Sequence, residues 1–238
     1  MARTPRFAVL NFPGTNCERE TVRALDHLVG GPATDLLWHA EPTALDSYDC
    51  VVLPGGFAYG DHLRAGAIAR FSPIMAAVER FAAAGKPILG ICNGFQVLTE
   101  AKLLPGSLLR NAELEFRSQW VHVRVERTDT PFTAGLTAGE SLRLPIAHGE
   151  GNYFVTPEEL ASLEAQGQIV FRYCDPSGAL TDDTNFNGSL NYIAGVCNAR
   201  RNVVGLMPHP ERGAEAILGG TDGRRILEAV LAVTGAPV

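Results

Sequence analysis

Cys92 is the residue in this sequence best placed to act as a nucleophile. It lies in Gly90-Ile91-Cys92-Asn93-Gly94, between an apolar run that reads as a strand and a stretch that reads as a helix. The pattern G-x-C-x-G is the thiol counterpart of the G-x-S-x-G elbow, in which the chain turns sharply and the side chain stands clear of the sheet. Its glycines remove Cβ atoms that would collide with the neighbouring strand and helix. A cysteine at a helix N-terminus also feels the positive end of the helix dipole, which favours the reactive thiolate. An isolated cysteine is more often a core thiol, so the elbow context carries the reading.

Two further segments supply partners. Met207-Pro208-His209-Pro210-Glu211-Arg212 follows a strand-like run. Prolines bias their neighbours toward extended backbone, in which residues two apart point the same way. His209 and Glu211 are then expected to face one edge, the carboxylate fixing the imidazole tautomer and freeing the other ring nitrogen for a thiol. H-x-E alone also fits a surface turn. Leu53-Pro54-Gly55-Gly56-Phe57 follows another strand. Paired glycines let backbone N–H groups turn toward a developing oxyanion, each worth about 3–4 kcal/mol where such donors act, although Gly-Gly alone also fits a tight turn. Each segment follows a strand, and the carboxyl edge of an open α/β sheet is where ligands bind.

The elements that must position these residues are legible as well. Phe7–Leu10, Leu36–Trp38, Cys50–Leu53 and Ile88–Ile91 are apolar strand runs separated by helical stretches. Thr15 or Asn16 is expected to cap the first helix, which runs to about Val29 and stops at Gly30-Gly31-Pro32. Ser72-Pro73 is expected to open the next, and Gly85 to close it. Near-continuous apolar strands alternating with helices predict a parallel sheet covered on both faces. The second half adds strands. Trp120–Val125 alternates, Ser141–Ile146 is a candidate, and Ile169–Tyr173, Tyr192–Val196 and Val203–Met207 follow. Thr156-Pro157-Glu158-Glu159 reads as a capping box, and a helix over about Asp222–Val233 ends the chain. The expectation is an α/β fold over 1–238 as one domain, with an open, mostly parallel sheet and extra antiparallel strands in the second half.

Composition narrows the function classes. The chain has 238 residues, 46% apolar and 19% charged, and a formal charge of −6 with no basic run. Neither a nucleic-acid nor a membrane partner is indicated, and no apolar stretch approaches the ~20 residues a membrane span needs. The five cysteines include no CxxC pair, so they read as reduced thiols of a cytosolic protein, with no metal site. Met1–Arg6 has no signal-peptide character. Asn187-Gly188-Ser189 matches a glycosylation acceptor by accident, or as a turn. Cys17, Cys50, Cys174 and Cys197 read as structural thiols, and His148 as a loop residue satisfied by water.

Taken together, Pro54-Gly55-Gly56, Gly90 to Gln96 and Pro208 to Glu211 resemble the signature segments of class I glutamine amidotransferases, whose fold is flavodoxin-like. Within that family the chain is most similar to the small glutaminase subunits of a purine-biosynthetic synthase. Phe12–Cys17, Tyr59–Asp61 with Leu63–Ile68, Leu103–Asn111, Ala147–Gly151 and Asn187–Ser189 before Ile193–Gly195 carry that closer match, which runs nearly end to end. The resemblance implies that Cys92 attacks the side-chain amide of L-glutamine to form a glutamyl thioester, that His209 relays protons, and that Glu211 orients His209. It implies an oxyanion hole from the N–H groups of Gly56 and Asn93. Substrate contacts are implied for Gly55, for Gln96 and, through Arg117-Ser118-Gln119, for Ser118.

It further implies a large synthetase subunit that uses ATP and Mg to amidate formylglycinamide ribotide, a small bridging subunit, and a protected route for ammonia. This chain has no GxxxxGKS/T motif and is expected to bind no cofactor or metal itself. The loop holding His148 would lie near the active-site mouth and the synthetase interface, with Arg64. Arg64 and Asp61 form part of that rim or a solvated loop pair. His62, and Phe186 within Asn185-Phe186-Asn187, depart from the pattern and put loop shape in doubt. Service to a different synthetase, a silent binding module, and a peptidase-like relative of the same fold stay open as alternatives.

Overall fold

Strands without a polar face must be covered on both sides, and every residue of the central strands is buried. In the computed structural model, which describes residues 4–28 and 32–234, the strands are β1 (Arg6–Asn11), β2 (Ala33–Trp38), β3 (Cys50–Leu53), β4 (Ile88–Ile91), β5 (Ser107–Leu109), β6 (Arg117–Val125), β7 (Ser141–His148), β8 (Asn152–Phe154), β9 (Ile169–Cys174), β10 (Ile193–Cys197) and β11 (Val203–Leu206). Nine of them join in the order β2-β1-β3-β4-β11-β10-β9-β6-β7, and β5 pairs with β8 in a separate ribbon. The run from β2 to β11 is parallel; β10, β9, β6 and β7 continue it antiparallel. Its parallel half has the 2-1-3-4-5 order of flavodoxin-like sheets. β6 alternates buried and part-exposed residues over Trp120–Val125, as its pattern predicts.

Helices flank the sheet: α1 (Glu18–Arg23), α2 (Met75–Ala83), α3 (Asn93–Glu100), α4 (Pro157–Ala165) and α5 (Asp222–Thr234). α4 opens on the expected capping box, with Thr156 accepting from the Glu159 N–H and Glu159 accepting from the Thr156 N–H.

Two helix starts differ from expectation. α1 begins after Cys17 with no side-chain cap. Thr15 Oγ1 instead accepts from the Phe12 N–H at 3.0 Å, tightening the preceding turn, and Asn16 Oδ1 accepts from the Cys17 thiol. α2 begins at Met75, two residues later than Ser72-Pro73 suggests. Ser72 is buried and its hydroxyl bonds His39 Nδ1 and the Tyr59 hydroxyl, so it is not free to cap. α1 passes into a π-turn over Ala24–Leu28. The expected stop at Gly30-Gly31 lies outside the described residues, as does Met1–Arg3. Gly85, at φ +80°, ends α2 as expected.

Candidate active site

β3, β4 and β11 are adjacent and parallel, so their carboxyl ends open on one edge of the sheet. Gly55-Gly56, Cys92 and His209 all follow those ends. Cys92 has φ 49° and ψ −105°, a conformation that non-glycine residues rarely adopt. The Cys92 N–H donates to Leu206 O of β11 at 2.8 Å, which ties the elbow to the strand that delivers the histidine. α3 starts at the next residue. It fits only because Gly94 has no side chain, since a Cβ there would lie 1.9 Å from the Leu53 carbonyl oxygen of β3.

His209 and Glu211 meet, with Nδ1 2.6 Å from Oε1 and both side chains almost wholly buried. They do so by a different route from the extended alternation expected of the prolines. His209 is extended, but Pro210–Gly213 is a 3-10 turn that swings Glu211 back onto the ring. The His209 N–H donates to Pro145 O of β7, fixing the segment to the antiparallel half of the sheet. Burial opposes a charge on the ring. Glu211 and then Cys92 favour the imidazolium, and His209 is held well above the usual histidine range. With Nδ1 occupied by Glu211, Nε2 is the nitrogen left for the Cys92 thiol, and Nε2 has no other partner.

Cys17, read from sequence as a structural thiol, lies behind this pair. Its sulfur is 4.0 Å from His209 Nδ1 and accepts from Arg212 Nη2 at 3.2 Å. Burial pushes the Cys17 thiol up, so it faces the ring as a neutral group. Cys17, His209 and Glu211 are also, among the described residues, the group whose ligand atoms lie close enough to hold a metal ion. The Arg212 guanidinium on that sulfur and the engagement of Glu211 by His209 make the set a buried hydrogen-bond relay.

A cavity of about 140 Å³ opens on Cys92, with Gly56, Gln96, Phe116, His148 and Glu150 among its walls. That is several times the ~30 Å³ of a water molecule. Two backbone N–H groups near Cys92 have no backbone partner among the described residues. The Thr15–Gly56 bridge uses the N–H groups of Phe57 and Asn16, leaving that of Gly56 outside the pairing. Asn93 opens α3, so its N–H has no carbonyl one turn earlier within the helix. The Asn93 side chain is fully engaged, accepting from the Ala58 N–H and donating to Gln96 Oε1 and Asp61 Oδ1. Gln96 in turn donates to Glu150 O at 2.6 Å.

Asp61 also lines the cavity. Burial, then repulsion from Glu150, raises its carboxyl to about 6 against the Asn93 hydrogen bond. A carboxyl raised in the folded state penalises folding once ionised. The penalty is therefore present above pH 6 and vanishes as pH falls toward the unfolded value of about 3.9. Asp61→Asn is expected to raise the thermal midpoint at pH 8 and to leave it nearly unchanged at pH 4, as read by melts at the two pH values.

The remaining candidates scatter. Gly55 lies outside the cavity, against His209: a Cβ on it would be 2.6 Å from the ring. Ser118 is exposed and pairs with Ala147 on the outer strands, so it is at the rim. Arg64 is exposed and paired with Glu100, and Asp61 bonds Asn93, so the two do not pair with each other. His148 is no solvated loop residue. It ends β7, buried, with Nδ1 3.1 Å from Asn111 Oδ1. Asn187 is fully buried within a turn, where Gly188 N–H donates to Asn185 O; burial excludes a glycan and fits the reading as an accidental match or a turn. Sequence reasoning missed Phe116 and the placement of Cys17. Both arrive through non-local packing, and only the stretch Phe12–Cys17 hinted at the second.

A family model described as CobB/CobQ-like glutamine amidotransferase domain matches residues 4–219. The chain is 61% identical to phosphoribosylformylglycinamidine synthase subunit PurQ of Thermomicrobium roseum, over 96% of each chain. It is 54% identical to the PurQ subunit of Moorella thermoacetica, over 95% of each. Among solved structures it resembles a chain in the structure of PurLQS from Thermotoga maritima, with a TM-score of 0.85 and 41% identity over 97% of this chain and 99% of that one.

Proposed function

The chain belongs to the CobB/CobQ-like glutamine amidotransferase family, and from that membership we propose that it is the glutaminase subunit of phosphoribosylformylglycinamidine synthase. The observation that carries the chemistry is the strained elbow at Cys92, open to a cavity and close enough to the buried His209–Glu211 pair to favour the imidazolium. Cys92 attacks the side-chain carbonyl of glutamine. The oxyanion forms between the N–H groups of Gly56 and Asn93. His209, protonated on Nε2, gives that proton to the departing nitrogen, so ammonia leaves and a glutamyl thioester remains. Water activated by the same nitrogen then releases glutamate and restores the thiol. Glu211 holds the imidazole in register and stabilises its charge. Gln96 helps shape the cavity through its bond to the Glu150 carbonyl.

Ammonia passes to a large synthetase subunit, which uses ATP and Mg to convert formylglycinamide ribotide to the amidine, with a small bridging subunit completing the assembly. The structural match to a PurLQS chain supports that partnership. No helix among the described residues is long and apolar enough to cross a membrane. The five free cysteines support a reducing, cytosolic setting. His148 and Arg64 remain candidates for the channel and the interface.

Mixing the chain with the large and bridging subunits and following glutamate release tests the assignment. Release is expected to rise when ribotide and ATP are added. Equal stimulation by an unrelated synthetase would instead favour service to another complex.

A further inference from the structure

Among the described side chains that wall the cavity, the buried polar atom the mechanism leaves without a partner is Nε2 of His148. It belongs to a wall of the cavity that holds Cys92, and the residue is 3% exposed. Among the described residues no group bonds it. The carbonyl of the preceding residue, Ala147 O, is the acceptor 3.8 Å from the Cys92 sulfur.

The protonation of that ring follows from its surroundings. Asn111 Nδ2 donates to the carbonyls of Glu115 and His148. Asn111 Oδ1 accepts from the Gly151 N–H at 3.0 Å. The orientation of the amide is therefore fixed, and its oxygen faces His148 Nδ1 at 3.1 Å. Nδ1 must carry the hydrogen, which leaves Nε2 with a bare lone pair in the neutral ring. The neutral ring persists because burial, followed by the nearby charge on His209, brings His148 down to about 3. The cavity is thus walled by Gly56, whose N–H is a donor, by the carboxyl groups of Asp61 and Glu150, and by His148, whose ring is a neutral acceptor, with the Asn93 N–H next to Cys92. A carboxamide has one acceptor oxygen and one donor nitrogen, and it matches that arrangement. A carboxylate has only oxygens and would set lone pair against lone pair.

We propose that His148 Nε2 accepts a hydrogen bond from the carboxamide –NH2 of bound glutamine, and that this contact selects amide over acid at the reacting carbon. The inference rests on the glutaminase reading of the site. During acylation the Cys92 S–C bond forms, the C–N bond breaks, and the proton that completes ammonia comes from His209. His148 gains and loses no proton, and it holds ammonia by the same lone pair without converting it to ammonium. Glutamate, the product, meets an unfavourable contact at this atom and is released.

The test uses the assembled complex and compares the inhibition constant for glutamate with the KM for glutamine. His148→Leu is expected to raise KM for glutamine and tighten glutamate inhibition, shrinking the preference for amide by about tenfold or more. His148→Gln, which restores an acceptor oxygen near the position of Nε2, is expected to recover most of it. An unchanged preference in the leucine variant, or equal loss in both variants, would overturn the role. A spectroscopic measurement avoids any dependence on those variants folding. In Cys92→Ala protein, the ¹⁵N resonance of His148 Nε2 is expected to move when glutamine saturates the site and to stay in place with glutamate. A resonance indifferent to bound glutamine would refute the contact. Glutamine hydrolysis that survived Cys92→Ala would instead defeat the underlying site assignment.

Discussion

Glutamine-dependent amidation by the reconstituted complex is expected to fall on the order of 10⁵-fold when Cys92 is replaced by alanine, while amidation with added ammonia persists. The magnitude follows from enzymes in which a nucleophile that acts as a unit with its base has been removed. No second thiol can take over. Cys17 is near the ring of His209, but on the Nδ1 side that Glu211 holds, and it is not among the walls of the cavity. Arg212 also donates to its sulfur. Assays of glutamate release and of ammonia-dependent amidation on the same preparation check this. Loss of both activities would mean that the substitution damages the assembly, and the nucleophilic role would then lack support.

Gly94→Ala is expected to be among the most damaging single changes to stability, costing about 4 kcal/mol or more. The new methyl would fall 1.9 Å from the Leu53 carbonyl oxygen and 2.6 Å from its carbon. Leu53 cannot retreat, because β3 is held between β1 and β4 at the centre of the sheet. For a chain of this size that loss corresponds to a midpoint lower by on the order of 10 °C. Gly149→Ala is the control. It lies in the cavity wall, where a Cβ meets only a Phe116 ring carbon at 3.7 Å. A melt of Gly94→Ala within a degree or two of the parent would show that α3 does not press on β3 as described.

The parallel half of this fold is legible in sequence because its strands are buried on both faces and so appear as unbroken apolar runs. The antiparallel half is less so. The alternation of Trp120–Val125 identifies a strand but not its neighbours. The β5–β8 ribbon has three residues per strand, too few for any periodicity. The same contrast holds within the candidate site. Gly90–Gly94 announces an elbow because steric demand is written in local residue types. His209 and Glu211 announce a pair by spacing, although the turn that joins them is not the one the prolines suggest. His148 looked like a loop residue because alanine and glycine flank it. Pairing with Arg117 and the hydrogen bonds to Asn111 draw it inside, and neither partner is near in sequence. Thr15 and Ser72 have the right type for helix caps, but their hydroxyls are claimed by other groups.

β11 is the seam of the sheet, parallel to β4 on one side and antiparallel to β10 on the other. It is also the eleventh strand to be synthesised, while the strand it completes is the fourth. A ribosome that has made everything up to residue 200 therefore holds a chain that has the sulfur but lacks both the imidazole and the strand whose Leu206 O accepts from the Cys92 N–H. Such a nascent chain has no means of hydrolysing the cell's glutamine, and it acquires that capacity only once β11 and the histidine that follows it have been made.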